Sequence, residues 1–586
     1  MKKLLFFFIA LTLSFQFVDA QTLAFPTAEG YGKFAKGGRG GKVVFVENLD
    51  DYIAYNNLEA PIPGSFRWAL KQYPGEPLTI IFRVSGTILL KPYIVSGRNQ
   101  NDIRSSRPNL TIAGQTAPGE GITIRNSKVN LGGSVDLIVR NVRFRIGENA
   151  ADGTFIPGGS MGCENAVNVI FDHCVFGWSG EENITMYDNR FTTVQWSMMH
   201  EGLYDDGHGK GNRSYGGQCG GVNSTWHHNL FAHNQSRSPR LNGARTDNET
   251  RVFIEFINNV IYNWGSSGGI YGADINVGST RSHTANYVGN YYKPGPATPS
   301  TKYFFSNYIV NGANYPKWYL SGNYMHGVPS ANTNNWNAFE IRWSGSPGTA
   351  LPTKADLASD TLLFPPSNIY YNAAWIGYEP YRINISSAEN AYQSILEKVG
   401  TYNRDSVERR IIRELKEGTA TFKASRGTFG IIDKSTDAEG FLTYKQAEPP
   451  VDADRDGMAD NWEVANGLNP NNSEDRNLVT PEGYTALEVY LNSLMGEYIV
   501  PNFTGVKNIK QTFFSIFPTI VKDKFEITSD IPLKSATIIN MNGQKISDFS
   551  LTEKTSIDVK NLIAGYYLVS VKAQFDKQEY LKFLKL

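Results

Sequence analysis

Residues Asn223 to Gly243 read NSTWHHNLFAHNQSRSPRLNG, a short apolar and aromatic strand (Trp226, Leu230, Phe231) that runs into a basic loop carrying Arg237, Pro239 and Arg240. Segments of the same kind surround it between Leu78 and Met325: LTIIFRV, NLTIAGQ, VDLIVRNVRF, VNVIFDHCVF, TTVQWSMM, STWHHNLF, FIEFINNVIYNW, ANYVGNYY and WYLSGNYM. They recur at roughly 24 to 33 residues, the spacing of solenoids and arrays. One such coil cannot bury its own apolar face, whereas stacked coils share a continuous core. Asn near the end of many segments suits a coil corner, because it tolerates unusual backbone angles and can bond to the Asn above it. A propeller would need about four strands per blade, which this single-strand spacing does not supply. The expectation is a mainly β chain built on a right-handed parallel β-helix. A strand end that delivers two arginines to the surface of such a scaffold suggests a site for an anionic substrate.

The 586 residues exceed one ordinary core. Lys+Arg and Asp+Glu balance at 56 each, so local clusters must carry any argument about partners. Aromatics make up 13% of the chain and glycines number 56, which favours short strands and tight turns over long helices. Lys2 and Lys3 before the apolar run Leu4 to Val18, then Val18-Asp19-Ala20, read as a signal peptide over residues 1–20. That run is short for a membrane span and no later one is long enough, so the mature protein is expected to be soluble. A monomer without a nucleic-acid partner is the accompanying expectation. The three cysteines (Cys163, Cys174, Cys219) are too few for a disulfide framework, and Cys174 reads as a small buried hydrophobe.

Ala28 to Gly41, AEGYGKFAKGGRGG, tempts a phosphate-loop reading, but a strand follows where a phosphate site needs a helix N-terminus. Tight turns are expected there instead. PGSFRWAL, Pro63 to Leu70, reads as a short helix over the first strands. The β-helix is expected to occupy residues 21–345, followed by a helical and loop extension over 346–450. In that extension Ala388, Tyr392, Ile395 and Val399 fall at helical spacing, and a second helix is expected from Asp405 to Glu417. The two would pack along the solenoid or cap its open end.

Asp452 to Glu463 reads DADRDGMADNWE. Asp452, Asp454 and Asp456 take the first, third and fifth positions of a calcium loop, and Gly457 the sharp turn. Met458 takes the backbone-ligand position, Asp460 the ninth and Glu463 the twelfth. The flanks are not two long helices, so residues 451–500 are expected to form a small EF-hand-like module with a structural Ca²⁺. Residues 508–586 read as an antiparallel β-sandwich with an Asn-Gly turn.

Several separate stretches together resemble the pectate lyases of polysaccharide lyase family one. They are AEGYG with GGRGG, PGSFRWAL, LTIAGQTAPGEGI, FDHCVFGWSGEEN and HHNLFAHNQSRSPRL, within residues 24 to 450. SIFP, DKFEI, NGQKI, IDVKNL and GYYLVSV in the tail resemble a type nine secretion C-terminal sorting domain. The second resemblance implies a removable address recognised by the secretion machinery. The first implies β-elimination in a pectic polysaccharide, a chain of α-1,4-linked galacturonic acid. That chemistry needs the sugar carboxylate neutralised and a base within reach of the proton beside it; Ca²⁺ meets the first need as a Lewis acid.

The resemblance places the base on Arg237, with Lys210 in DDGHGKG clamping substrate and Arg240 binding a neighbouring carboxylate. Arginine is an awkward base, and this role needs adjacent cations to destabilise its charge. Glu182 and its neighbour Glu181 are the expected ligands of the catalytic Ca²⁺. Gly159 and Ser160 stand where related sequences carry an aspartate, a gap that either Glu164 or Asp152 compensates or that leaves the catalytic Ca²⁺ to bind mainly through substrate. Two alternatives stay open: a calcium-independent lyase acting on methyl-esterified pectin, and a non-catalytic pectin-binding β-helix. His227 and His228, on opposite faces of a strand, are read as unable to share one ion. Asp205 and Asp206 could serve a hydrolase but lie adjacent in one Gly-rich loop with no defined separation.

Overall fold

The computed structural model describes residues 22–242, 251–266, 268–272, 282–310, 316–344, 352–363, 383–503, 514–517, 520–529, 532–540, 544–551, 555–573 and 578–586. The expected signal peptide and the Asn542-Gly543 turn lie outside them. Three parallel sheets of ten, nine and nine strands wrap one apolar interior. The first holds strands such as Val167–Asp172 and Val222–His227, the second Val175–Gly177 and Leu230–Ala232, the third Glu182–Thr185, Tyr215–Gly220 and Arg240–Asn242. Successive coils stack in register: Val135 pairs with Val167, Val167 with Arg190, and Arg190 with Val222. Inside, Phe231 meets Phe256 and Phe256 stacks on Tyr287 at 5.3 Å, so the coils share one column of rings.

The corner between the first and second sheets divides the two roles expected of one asparagine between neighbours. One residue per coil bends left-handed: Asn141 (φ 59°), His173 (50°), Trp196 (49°), His228 (52°) and Asn258 (54°). The next residue forms the ladder. The backbone N–H of Asn229 donates to Asn259 Oδ1 at 3.0 Å, Asn259 to Asn290 Oδ1 at 2.9 Å, and Asn290 to Asn323 Oδ1 at 3.0 Å. Bend and bond make opposite demands on one side chain, so adjacent positions serve them. His228 is past the end of its strand, and its bend corrects the opposite-face reading. The His227 and His228 rings approach each other, Nδ1 to Nδ1 at 2.9 Å. Burial keeps both uncharged, with His228 lowered to about 4.

The glycine-rich stretch lies flat across the outer face of the first sheet. Gly32 N–H donates to Thr193 Oγ1 at 2.9 Å and Gly38 N–H to Thr111 Oγ1 at 2.8 Å. The expected tight turns are there, over 31–34 and 37–40, with Ala35 N–H donating to Gly32 O and Gly41 N–H to Gly38 O, and a Cβ at Gly32 or Gly38 would also collide with the strand beneath. Phe66–Ala69 forms the short helix, capped by Ser65. The helices Ala388–Lys398 and Ser406–Glu417 lie along the second sheet, with Ile395, Val407, Ile411 and Leu415 against Met198, Leu230 and Val260. Buried ion pairs pin them: Arg143 to Glu408 at 2.6 Å, Arg145 to Asp405 at 2.5 Å, Arg410 to Glu201 at 2.8 Å. The solenoid's far end is closed by residues 329–338 instead, where Asn335 Oδ1 takes the last rung of the ladder from Asn323 at 2.8 Å.

The described residues between 514 and 586 form a three-stranded and a five-stranded sheet, antiparallel except where Ile520–Val521 pairs parallel with the last strand. The cysteines are free and buried. No helix among the described residues is long and apolar enough to cross a membrane.

Candidate active site

Three consecutive coils pass from the second sheet to the third through loops 178–181, 201–214 and 233–239. Because the coils stack in register, those loops emerge side by side on one edge of the third sheet. The first ends in Glu181, with Glu182 opening the strand that follows, the second carries Asp206, His208 and Lys210, and the third carries Arg237. Residues twenty to sixty apart in sequence thereby share a corner, as roughly the coil spacing requires.

Arg237 is largely covered. Its side chain is 15% exposed, its guanidinium lies 3.9 Å over the Tyr215 ring, and Nε donates to Tyr271 Oη at 3.0 Å. It forms an ion pair with Glu182. Its backbone sits in the left-handed region at φ 55°, a costly conformation for a non-glycine residue that functional positions often hold. That backbone is fixed by its carbonyl, which accepts from Gly217 N–H at 2.7 Å. Burial lowers the Arg237 pKa and the nearby Arg240 adds to the effect, while Tyr271 and Glu181 oppose it. The expectation of an exposed loop side chain is therefore corrected: removing it would strand Glu182. Arg240 opens its strand and lies 5.6 Å from the centre of the Tyr271 ring, so one phenol serves both arginines.

Glu182 is buried and accepts from Gln218 Nε2 at 2.9 Å as well as pairing with Arg237. Glu181 meets His208 Nε2 at 2.5 Å, and His208 Nδ1 accepts the Lys210 backbone N–H at 3.0 Å. Lys210 itself is exposed beside them. His208 thus ties the lysine loop to the glutamate loop. Asp206, buried, is the group that sequence reasoning undervalued. Its carboxylate lies directly over Gly180, where any Cβ would collide with it. Burial raises it to about 7, and the charges of Glu181 and Asp205 push the same way. Adjacency in sequence hid that Asp205 is exposed while Asp206 turns inward.

The missing aspartate has a steric reason. A Cβ at Gly159 would meet the Glu182 carbonyl oxygen, and Ser160 Oγ is held by Gly177 O at 2.7 Å. The two substitutes are turned elsewhere: Asp152 accepts from Thr154, and Glu164 lies at the corner beside Gly132 and Gly133. The corner's donor set for a hard cation is Glu181 and Asp206, and a cation bound beside Asp206 would favour release of its proton to solvent. Among the described residues no three acidic ligands converge there.

They do converge in the 452–463 loop. Asp452, Asp454 and Asp456 form one cluster with ligand atoms within 4.8 Å of one another, and Asp456, Glu463 and Asp475 a second. Burial together with the neighbouring carboxylates raises Asp456 to about 8 and Glu463 to about 7. Met458 is buried against Phe45 and Ile81, its N–H on Asp456 Oδ1 at 2.8 Å. Asp460 Oδ1 accepts the Ala453 N–H at 2.8 Å and braces the loop from within.

A parallel β-helix whose stacked loops gather arginine, lysine and paired carboxylates has the architecture of a polysaccharide lyase. A probable pectate lyase C of Emericella nidulans is 30% identical over 487 residues, covering 81% of this chain and 93% of that protein. Another from Aspergillus flavus is 29% identical over 491 residues, covering 82% and 96%. The chain belongs to the pectate lyase family. Residues 515–584 match the secretion system C-terminal sorting domain, so the tail is such a domain, appended to the lyase. Among solved structures, the cedar pollen allergen Jun a 1 aligns with TM-score 0.40 at 16% identity over 64% of this chain and 92% of its own. A Bacillus sp. N165 pectate lyase in complex with trigalacturonate aligns with TM-score 0.34 at 18% identity, over 64% and 98%.

Proposed function

We propose that this lyase cleaves α-1,4-galacturonan by calcium-assisted β-elimination at the corner formed by loops 178–181, 201–214 and 233–239. The observation that carries this reading is the convergence of Arg237 with the Lys210 loop and Glu181 on one sheet edge. Arg237 takes the proton beside the uronate carboxylate, and the glycosidic oxygen leaves from the β position to give an unsaturated end. Burial and Arg240 favour the neutral guanidine that a base requires. The Glu182 pair opposes it, so substrate entry has to loosen that contact. Lys210, free to swing from its exposed loop, and Arg240 bind uronate carboxylates flanking the scissile bond. Glu181 and Asp206 would hold the Ca²⁺, whose contribution is to neutralise the substrate carboxylate. Glu182, the expected principal ligand, is better read as the counter-charge that keeps Arg237 in place.

One observation favours a second reading. Because, among the described residues, the corner offers a cation only Glu181 and Asp206 as carboxyls not paired with arginine, a neutral methyl-esterified pectin needing no cation also suits it. Incubation with polygalacturonate or esterified pectin, with and without chelator, separates the readings by the ultraviolet absorbance of the unsaturated product. Absorbance on polygalacturonate that chelator abolishes supports the calcium mechanism. Absorbance on the ester that survives chelator supports the second reading, and binding without absorbance would leave only a pectin-binding protein. We further infer export by a signal peptide over 1–20 and the C-terminal sorting domain, to the medium or the cell surface. The proposed division is lyase domain 21–345, extension 346–450, calcium module 451–500 and tail 508–586.

A further inference from the structure

Away from the catalytic corner, the 451–500 segment is built against the first sheet, at the end where the solenoid begins. Gly457, at φ 98°, brings its backbone so close that a Cβ would lie 3.2 Å from Leu487 and 3.3 Å from both Val43 and Ile81. Met458, Ala459, Leu487, Tyr490 and Leu491 share a buried cluster with Phe45, Ile81 and Ala113 of the first sheet. Ion pairs cross the same seam. Arg83 reaches Asp452 at 3.4 Å, Arg455 reaches Glu47 at 2.8 Å, and Arg39 grips Glu488 at 2.7 and 3.0 Å. Deeper, Arg140 joins Asp172 of the sheet to Glu497 at 2.7 and 2.6 Å.

Against that well-paired seam, the acidic atoms on the loop's inner side stand out. Glu463 and Asp456 are fully buried, and both Glu463 oxygens and Asp456 Oδ2 have no hydrogen-bond partner. Both oxygens of Asp454 and Oδ1 of Asp475 are likewise buried without one. Burying several unpartnered carboxylate oxygens together is costly unless a bound cation, or protons taken up in its absence, compensate the charge. The twelve-residue loop ends at Glu463, yet Asp475 reaches the same cluster from the following turn. Its other oxygen is held by the Asn469 N–H at 2.8 Å, which aims the free one inward. Hard, multiple, anionic oxygens in a flexible arrangement suit Ca²⁺ better than Mg²⁺, which demands a near-ideal octahedron.

We propose that Asp452, Asp454, Asp456, Glu463 and Asp475 hold one Ca²⁺, and that this ion is a clasp that keeps residues 451–500 closed over the first sheet of the solenoid. Asp452 carries the coupling: its carboxylate accepts the loop's Asp456 and Gly457 N–H groups, and the oxygen on Gly457 also faces Arg83. Asp475 draws the second turn of the segment onto the first, which places the helix Ala486–Ser493 against Phe45 and Ile81. The clasp is a separate site from the catalytic corner and does not rest on the reading of that corner.

The test is thermal unfolding of the full chain without substrate, titrated with CaCl₂ and in parallel with MgCl₂ after removal of metal by chelator. The expected result is a Ca²⁺-dependent rise in melting temperature, larger than any caused by Mg²⁺. Asp475→Asn should weaken the half-saturating Ca²⁺ concentration by about tenfold or more, and Glu463→Gln should remove the response. Asp206→Asn, at the catalytic corner, should leave it in place. Should Glu463→Gln not fold, limited proteolysis of the wild type answers instead, with chelator exposing cleavage sites within 451–500 before any in the solenoid. A wild-type melt indifferent to Ca²⁺, or chelator-induced cleavage beginning elsewhere, would overturn the clasp. An Asp475→Asn variant with wild-type Ca²⁺ dependence would remove Asp475 from it, and an Asp206→Asn variant that lost the response would assign the stabilising ion to the corner.

Discussion

The proposed catalytic corner and the acidic loop both gather carboxylates, and they treat them in opposite ways. At the corner Glu182 has Arg237 and Gln218, and Glu181 has His208, all supplied by neighbouring coils of the same solenoid. In the loop, the carboxylate oxygens of Glu463 and Asp454 are buried with no hydrogen-bond partner. A buried carboxylate with a cation in the chain is complete as folded, whereas one without it is an order for a cation from solution. The difference teaches that counting acids cannot locate a metal site; the unmet hydrogen-bonding capacity does.

This contrast can be broken by substitution. The largest stability effect should come from a carboxylate paired most fully with cations of the chain. Asp405 is buried between Arg143 and Arg145, so Asp405→Ala should destabilise by about 3–5 kcal/mol in urea unfolding. A loss well under 1 kcal/mol would show that these pairs do not anchor the helical extension. Next comes Glu182→Gln, which keeps the shape but leaves Arg237 without its counter-ion, at a cost of roughly 2 kcal/mol. In chelator at neutral pH, Asp456→Asn should go the other way and stabilise by about 1 kcal/mol, because it removes a carboxyl that folding forces to take up a proton. Equal signs for the two variants would erase the distinction.

Asp206 is the corner's exception and gives a pH test. Its folded pKa of about 7 lies above its ordinary value of 3.8, so the folded state binds a proton that the unfolded chain has released. Its contribution is present in full below the unfolded value and is lost as pH rises through the folded one. In chelator, stability should therefore decline from about pH 4 to 7, and Asp206→Asn should flatten that part of the slope.

Much of the solenoid was legible because stacking imposes a repeated demand: each coil needs an apolar strand, a turn and a polar corner. The demand for two residues at that corner was not, since left-handed His228 and Trp196 carry no compositional mark of a bend. The loops of Arg237 and Lys210 were legible through resemblance. Tyr215 and Tyr271, which cover and hold Arg237, were not, because a tyrosine in a strand reads as packing. Asp475 lies beyond the end of a motif that is read over twelve residues. The Arg140 bridge to Glu497 joins positions 357 apart, a separation at which pairing leaves no local signature.

The proposed β-elimination depends most on Arg237 as its base. Arg237→Lys keeps a positive charge for Glu182 to pair with, so the fold and its melting temperature should hold. With polygalacturonate, the rate of ultraviolet absorbance from the unsaturated product should fall about a thousandfold, within the range of lost general-base catalysis. A variant that folds as the wild type and retains a rate within tenfold of it would contradict the assignment.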